Sequence, residues 1–119
     1  MLVRAMRTCI RMAVDDAKMS ETEILRAVLV AVTALPDTVA WRNNTGVAVT
    51  AARQVVRFGA PGAPDILGVR AGRAFGIEIK TPTGRQSAAQ VAFQRAYERA
   101  GGLYIIARSV DDAVRALTS

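Results

Sequence analysis

The chain has 119 residues, 51% of them hydrophobic but only 5% aromatic, which fits one domain with a modest, aliphatic core. Sixteen Lys and Arg against ten Asp and Glu give a net charge of +6 and a pI of about 10.7, a balance that suits a polyanionic partner such as nucleic acid and equally suits a basic, inert surface. With no histidine and a single cysteine, Cys9, the sequence excludes an internal disulfide framework, Cys/His zinc sites, and Ser-His-Asp or Cys-His catalysis; any chemistry must run on carboxylates, lysine, hydroxyls or a hard metal.

Residues 1–18 carry Arg4, Arg7, Arg11 and Lys18 among apolar residues and are expected to form a basic N-terminal extension, as an amphipathic helix or a loose arm. The arginines interrupt the only stretch that resembles a signal peptide. The longest mostly apolar run, Ala27 to Pro36, is too short to span a bilayer, so a soluble, cytoplasmic protein without membrane partners is expected. Met19-Ser20 reads as a natural start, and residues 19–119 as the domain proper.

Ser20-Glu21-Thr22-Glu23 opens a helix, with Ser20 as N-cap and Glu23 at the capping-box position. Ile24, Leu25, Val28, Ala31, Val32 and Leu35 make one apolar face, and Pro36 marks the end. Val39 to Arg42 is a strand candidate in which Trp41 is expected in the core. Asn43-Asn44-Thr45-Gly46 has turn chemistry, and Val47–Val49 and Gln54–Phe58 read as strands or irregular pieces. The breaker-rich loop Gly59 to Pro64 delivers Asp65 to a strand, Asp65 to Arg70, and Ala74 to Lys80 returns after a turn. Ser87 caps a helix reaching about Ala100, Gly101-Gly102 closes it, Leu103 to Ala107 is a buried strand, and Ser109 to Leu117 a final short helix. This order predicts a mixed α/β fold, with a small mixed central sheet flanked by helices.

The hairpin carries the candidate chemistry. A two-residue turn at Gly72-Arg73 pairs Ala71 with Ala74, Asp65 with Lys80 and Leu67 with Glu78. Asp65, Glu78 and Lys80 then share one face, with Ile77 and Ile79 on the other. A three-residue turn instead sets Ile66 opposite Glu78 and turns Asp65 to the opposite face unless a bulge re-aims it. The shorter turn is the favoured reading. Two carboxylates on a rigid hairpin can hold Mg²⁺ beside a substrate phosphate, and a lysine there can orient or help deprotonate water and offset transition-state charge. An E-x-K triplet alone is more simply a solvated strand face; its pairing with Pro64-Asp65 argues for a site.

Gly62-Ala63-Pro64-Asp65 followed by Glu78-Ile79-Lys80 resembles the PD-(D/E)xK nuclease superfamily. More narrowly, the chain resembles the virus-type replication-repair nuclease (VRR-Nuc) family in its stand-alone phage type. Supporting residues are Trp41 to Gly46, Arg57-Phe58-Gly59, Gly62 to Gly68, Ile77 to Thr81, Gly84-Arg85, Ser87, Gln90, Phe93 and Gly101-Gly102, so the resemblance runs from about Ser20 to the C-terminus. It implies a restriction-endonuclease-like fold and hydrolysis of DNA phosphodiesters with Mg²⁺ or Mn²⁺. It further implies repair or recombination substrates such as branched, Holliday-junction-like DNA, and a homodimer in the cytoplasm of a phage's host. Asp65 and Glu78 would bind metal, the Ile79 carbonyl would add an oxygen, and Lys80 would position water.

The same resemblance expects a third carboxylate on the first helix. Of Glu21 and Glu23, Glu21 is preferred, because its spacing from Ile24 and Leu25 puts it on the buried face and leaves Glu23 to the cap. Gln90 has two readings, a capping residue for Ser87 or a site residue, and the site role is preferred on the view that one side chain cannot fill both. Arg42, Asn43, Asn44, Arg57 and Arg85 are candidate phosphate contacts, with Arg70 and Arg73 as further members of a basic track; for any single one, plain surface charge is the simpler account. A competing class is a non-catalytic DNA-binding protein that retains the fold, and a weaker one is a basic RNA-associated domain. The complete Asp, Glu and Lys set argues for the nuclease.

Overall fold

The computed structural model describes residues 19–44 and 46–119; the expected N-terminal extension lies outside the described residues. Chain order is α1 (Glu21–Thr33), β1 (Thr38–Arg42), β2 (Gly46–Val49), β3 (Val55–Phe58), β4 (Ile66–Arg70), β5 (Arg73–Ile79), α2 (Ala88–Arg99), β6 (Leu103–Ala107) and α3 (Val110–Thr118). The predicted mixed α/β architecture is present. A four-stranded sheet has the order β1-β4-β5-β6, antiparallel except for the parallel β5–β6 pair, and β2–β3 form a separate hairpin. The two stretches left open between strand and irregular structure are therefore the arms of that hairpin.

One face of the sheet holds the core. Ile24, Leu25, Val28, Ala31, Val32 and Leu35 are all buried, as the helical spacing of the sequence requires. They meet Ile66, Phe75, Ile77, Ile79, Ile105 and Ala107 from the strands and Val110, Ala113 and Val114 from α3. The other face is covered only in part. α2 rests on β6 and buries none of its residues completely. On β1 and β4, Val39, Trp41 and Val69 remain exposed on this side, and Trp41, 49% exposed, is not the core residue its size suggested. Burial of β1 falls on the alternate side, where Ala40 packs against the core.

The β4–β5 turn is two residues long but sits one position earlier than expected. Arg70 pairs with Arg73, and Ala71 and Gly72 form the turn with φ of 46° and 84°. Two successive left-handed residues are what a type I′ hairpin turn needs, and its twist matches the strands. A turn at Gly72-Arg73 would have placed the glycine first. Each cross-strand partner accordingly moves by two, so Leu67 faces Gly76 rather than Glu78, and continuing the ladder beyond Ile66–Ile77 sets Asp65 opposite Glu78 rather than Lys80. A shift of two preserves the face on which every side chain lies.

Among the described residues no helix is long and apolar enough to cross a membrane.

Candidate metal and nuclease site

Asp65 enters β4 from the loop Gly59 to Pro64, and three contacts fix that entry. Gly62 has φ of 79° and lies so close to α2 that a Cβ there would stand 2.1 Å from the Ala89 carbonyl oxygen. Pro64 covers Gly76 of β5, where a Cβ would meet its ring at 2.5 Å. Asn43 extends the β1 pairing: its N–H donates to the Asp65 carbonyl at 2.7 Å, and its side-chain amide donates to the Pro64 carbonyl at 3.1 Å. The Asp65 carboxylate then accepts the Ile79 N–H through Oδ2 at 2.8 Å.

Glu78 lies on β5, the strand buried by neighbours on both sides, and is 3% exposed. Its Oε1 accepts from Gln90 Nε2 at 2.9 Å and stands 3.9 Å from Lys80 Nζ, whereas Oε2 is buried with no hydrogen-bond partner. Burial first, then the charge and the hydrogen-bonding influence of the neighbouring Asp65 carboxyl, push Glu78 from the ordinary 4.5 up to about 8; Lys80 opposes the shift and Glu21 adds to it. Asp65, Glu78 and Lys80 therefore meet at one end of the sheet, as the sequence predicted, although through a different register.

Gln90 performs both of the roles that were set against each other. Its N–H donates to Ser87 Oγ at 3.2 Å, its Oε1 accepts the Ser87 N–H at 2.9 Å, and its Nε2 remains for Glu78. The carboxamide has two distinct ends, so a complete capping box and a site contact coexist.

Glu21 departs from its expected place. It is the first residue of α1 and is exposed, not part of the buried face. α1 runs back along β1, which returns its first turn to the Asp65 end of the sheet, and the Glu21 charge still reaches Glu78. Among the described residues, no third carboxylate or cysteine joins Asp65 and Glu78 in a group that could hold a metal ion. Glu23 accepts from Ser20 Oγ at 3.1 Å and donates its N–H to the same oxygen at 3.2 Å.

The basic candidates divide by position. Arg42, paired with Ile66 at the end of β1, and Arg85, shortly before Ser87, are exposed. Arg57 and the exposed Asn44 lie on and before the β2–β3 hairpin. Asn43 is committed to the Pro64 carbonyl. Arg70 and Arg73 flank the turn at the opposite end of the sheet; Arg70 donates to the Leu117 carbonyl at 3.1 Å and Arg73 to the Gly101 carbonyl at 3.4 Å.

Two nearby residues had no sequence signal. Arg108 donates to the carbonyls of Thr81 and Gly84, the latter at 2.8 Å, and ties down the loop between Lys80 and α2. Tyr104, read as one apolar residue of a buried strand, has its hydroxyl on the Glu78 side of the sheet.

No protein-family model, no curated protein and no solved structure matches this chain.

Proposed function

We propose that this chain is a divalent-metal-dependent deoxyribonuclease of the PD-(D/E)xK type, with a restriction-endonuclease-like fold and a resemblance to the VRR-Nuc family. The observation that carries the reading is the forced proximity of Asp65 and Glu78 beside the Lys80 amine. Two carboxyls pressed together in a buried setting are costly when both are charged, and a cation relieves that cost. The fit to Mg²⁺ or Mn²⁺ is supported by the donor set, which is all oxygen, and by Glu78 Oε2, a buried acceptor without a partner. Asp65 and Glu78 would hold the ion with the Ile79 carbonyl as a further oxygen, and Glu21 would add negative charge from longer range. When bound, the ion supplies Lewis-acid polarisation of a phosphoryl oxygen and a more acidic water.

The chain's own groups divide the remaining work. The Ile79 N–H holds Asp65 through Oδ2, so its other oxygen is directed by the backbone of β5. Gln90 holds Glu78 through Oε1 and leaves Oε2 to face a ligand. Lys80, whose amine lies 3.9 Å from Glu78, orients the attacking water and offsets charge developing on the phosphate. Arg42 and Arg85 provide forked donors for the flanking phosphates. A homodimer acting on branched DNA is the form of this reading that the resemblance suggests, and the exposed apolar residues on β1, β4 and the β2–β3 hairpin are compatible with it.

The test is a cleavage panel of supercoiled, linear, flapped and four-way DNA with Mg²⁺ or Mn²⁺. Cleavage that requires the metal and is lost in Asp65→Ala and Lys80→Ala is expected. Salt-sensitive binding with no cleavage of any substrate would instead favour the non-catalytic DNA-binding reading.

A further inference from the structure

Among the described residues, two buried side-chain oxygens lack a hydrogen-bond partner: Glu78 Oε2 and Tyr104 Oη. They lie on the same side of the sheet. β5 and β6 are parallel, with Gly76 beside Tyr104 and Glu78 beside Ile106, so Tyr104 and Glu78 are diagonal neighbours. The Tyr104 ring is 6% exposed and tilts against Phe93 of α2 at 6.5 Å, which fixes where its hydroxyl can reach. The Gln86 carboxamide lies beside that hydroxyl and favours its ionised form, while one hydrogen of its Nε2 is donated to Gln94 at 2.8 Å. Burial and the Glu78 charge push the phenol up to about 12, so it is a protonated donor throughout the neutral range.

A residue needed only for packing at this position could be phenylalanine, because a buried hydroxyl without a partner is unfavourable. One donor and one carboxylate acceptor, both buried and both unpartnered, are instead the groups that a single enclosed water satisfies. We propose that Tyr104 is a positioning residue for Glu78, its hydroxyl donating to one buried water that bridges to Oε2 of the Glu78 carboxyl group. Gln90 then holds that carboxyl group from the α2 side and Tyr104 from the β6 side, and the second lone pair of Oε2 is left for a cation, so the plane of the group is set before the cation arrives. The proposal rests on the nuclease reading to the extent that Glu78 is a metal-holding group.

Tyr104→Phe removes the hydroxyl and keeps the ring against Phe93. The experiment measures Mn²⁺ binding to the full chain by calorimetry, DNA cleavage as a function of Mn²⁺ concentration, and the melting temperature without metal. The expected result is a Mn²⁺ Kd raised about tenfold, the effect usual for groups that orient a ligand. Cleavage should recover toward the parent rate at saturating Mn²⁺ with KM for DNA unchanged, and melting should be at or above the parent temperature. A hydroxyl with a merely structural role would lower the melting temperature and leave the Mn²⁺ Kd alone. Equal Mn²⁺ affinity in parent and variant overturns the role of Tyr104 and leaves the nuclease reading standing, as does a variant that fails to fold. A parent chain that neither binds Mn²⁺ nor cuts DNA overturns the nuclease reading, and the Tyr104 proposal with it.

Discussion

Gln90 donates to Glu78 at 2.9 Å with one end of its carboxamide while the other end caps the helix that carries it. The start of α2 and the orientation of the buried acid are thus set by one side chain. Substitutions at Ser87 and Gln90 should separate the two roles. Ser87→Ala removes a cap and should cost about 1 kcal/mol in denaturant unfolding, with a small effect on cleavage. Gln90→Ala loses the reciprocal cap and the Glu78 contact together, and cleavage should fall ten- to a hundredfold, the range for groups that orient a metal ligand. Equal losses of cleavage in the two variants would show that Gln90 matters only as a cap.

Glu78 makes the metal-free fold sensitive to pH in a definite direction. Its carboxyl titrates at 4.5 ordinarily and at about 8 in the folded chain, chiefly because it is buried. Between those values the folded protein retains a proton that the unfolded chain has released. Stability from this group is therefore fully present below 4.5 and falls as pH rises through about 8. Melting of the metal-free protein should decline across that window, and Glu78→Gln, which keeps the shape without the charge, should flatten the decline. Added Mg²⁺ or Mn²⁺ should raise the melting temperature more at pH 8 than at pH 5, because cation and proton compete for the same group. A melting curve with the same slope in Glu78→Gln would remove Glu78 as its cause.

The parts of this molecule that were readable from sequence are those that depend on periodicity. The stripe from Ile24 to Leu35 repeats at helical spacing, and all six of its apolar residues are buried. Alternation along β5 separates Glu78 from Ile77 and Ile79 whatever the length of the turn, and an even shift in register keeps Asp65 on the Glu78 face. Turn position was harder to read because Ala71-Gly72-Arg73 contains one glycine, and its first left-handed residue is an alanine at φ 46°. Trp41 lies on the open face, against the sequence expectation, for another reason. Alternation in β1 reveals two faces but not which of them a helix will cover, and α1 covers the side of Ala40. Tyr104 gave no signal, since its meaning comes from a parallel neighbour distant in sequence.

Asn43 has the chemistry of a nucleic-acid contact, yet its side-chain amide is spent on the Pro64 carbonyl. Asn43→Ala should therefore act on the entry of Asp65 more than on DNA affinity. Loss of a part-buried hydrogen bond should cost about 1–2 kcal/mol and reduce cleavage, with DNA binding and its salt dependence close to the parent. Arg42→Ala should do the opposite, leaving stability almost unchanged and lowering the salt slope of DNA binding by about one. Fluorescence anisotropy at several salt concentrations distinguishes them. A reduced salt slope in Asn43→Ala would return that residue to the binding surface.

Gly62 offers the sharpest test of how the Asp65 loop and α2 fit together. Two separate obstacles oppose any side chain there. The backbone is left-handed, with φ of 79°, and a Cβ would stand 2.1 Å from the Ala89 carbonyl oxygen and 2.8 Å from the Gln90 nitrogen. These neighbours are backbone atoms of a helix and cannot swing aside. Gly72 is the natural control, because it is also left-handed, with φ of 84°, but has nothing within 4 Å of its would-be Cβ. Gly72→Ala should thus cost only the conformational penalty, about 1–2 kcal/mol, and leave cleavage near the parent level. Gly62→Ala adds an overpacking penalty and should cost about 3 kcal/mol or more. It should also lower cleavage disproportionately, since the displaced loop carries Asp65 and the displaced turn of α2 carries Gln90. If the two variants lose stability and cleavage alike, close approach of the loop to α2 does not hold the site together.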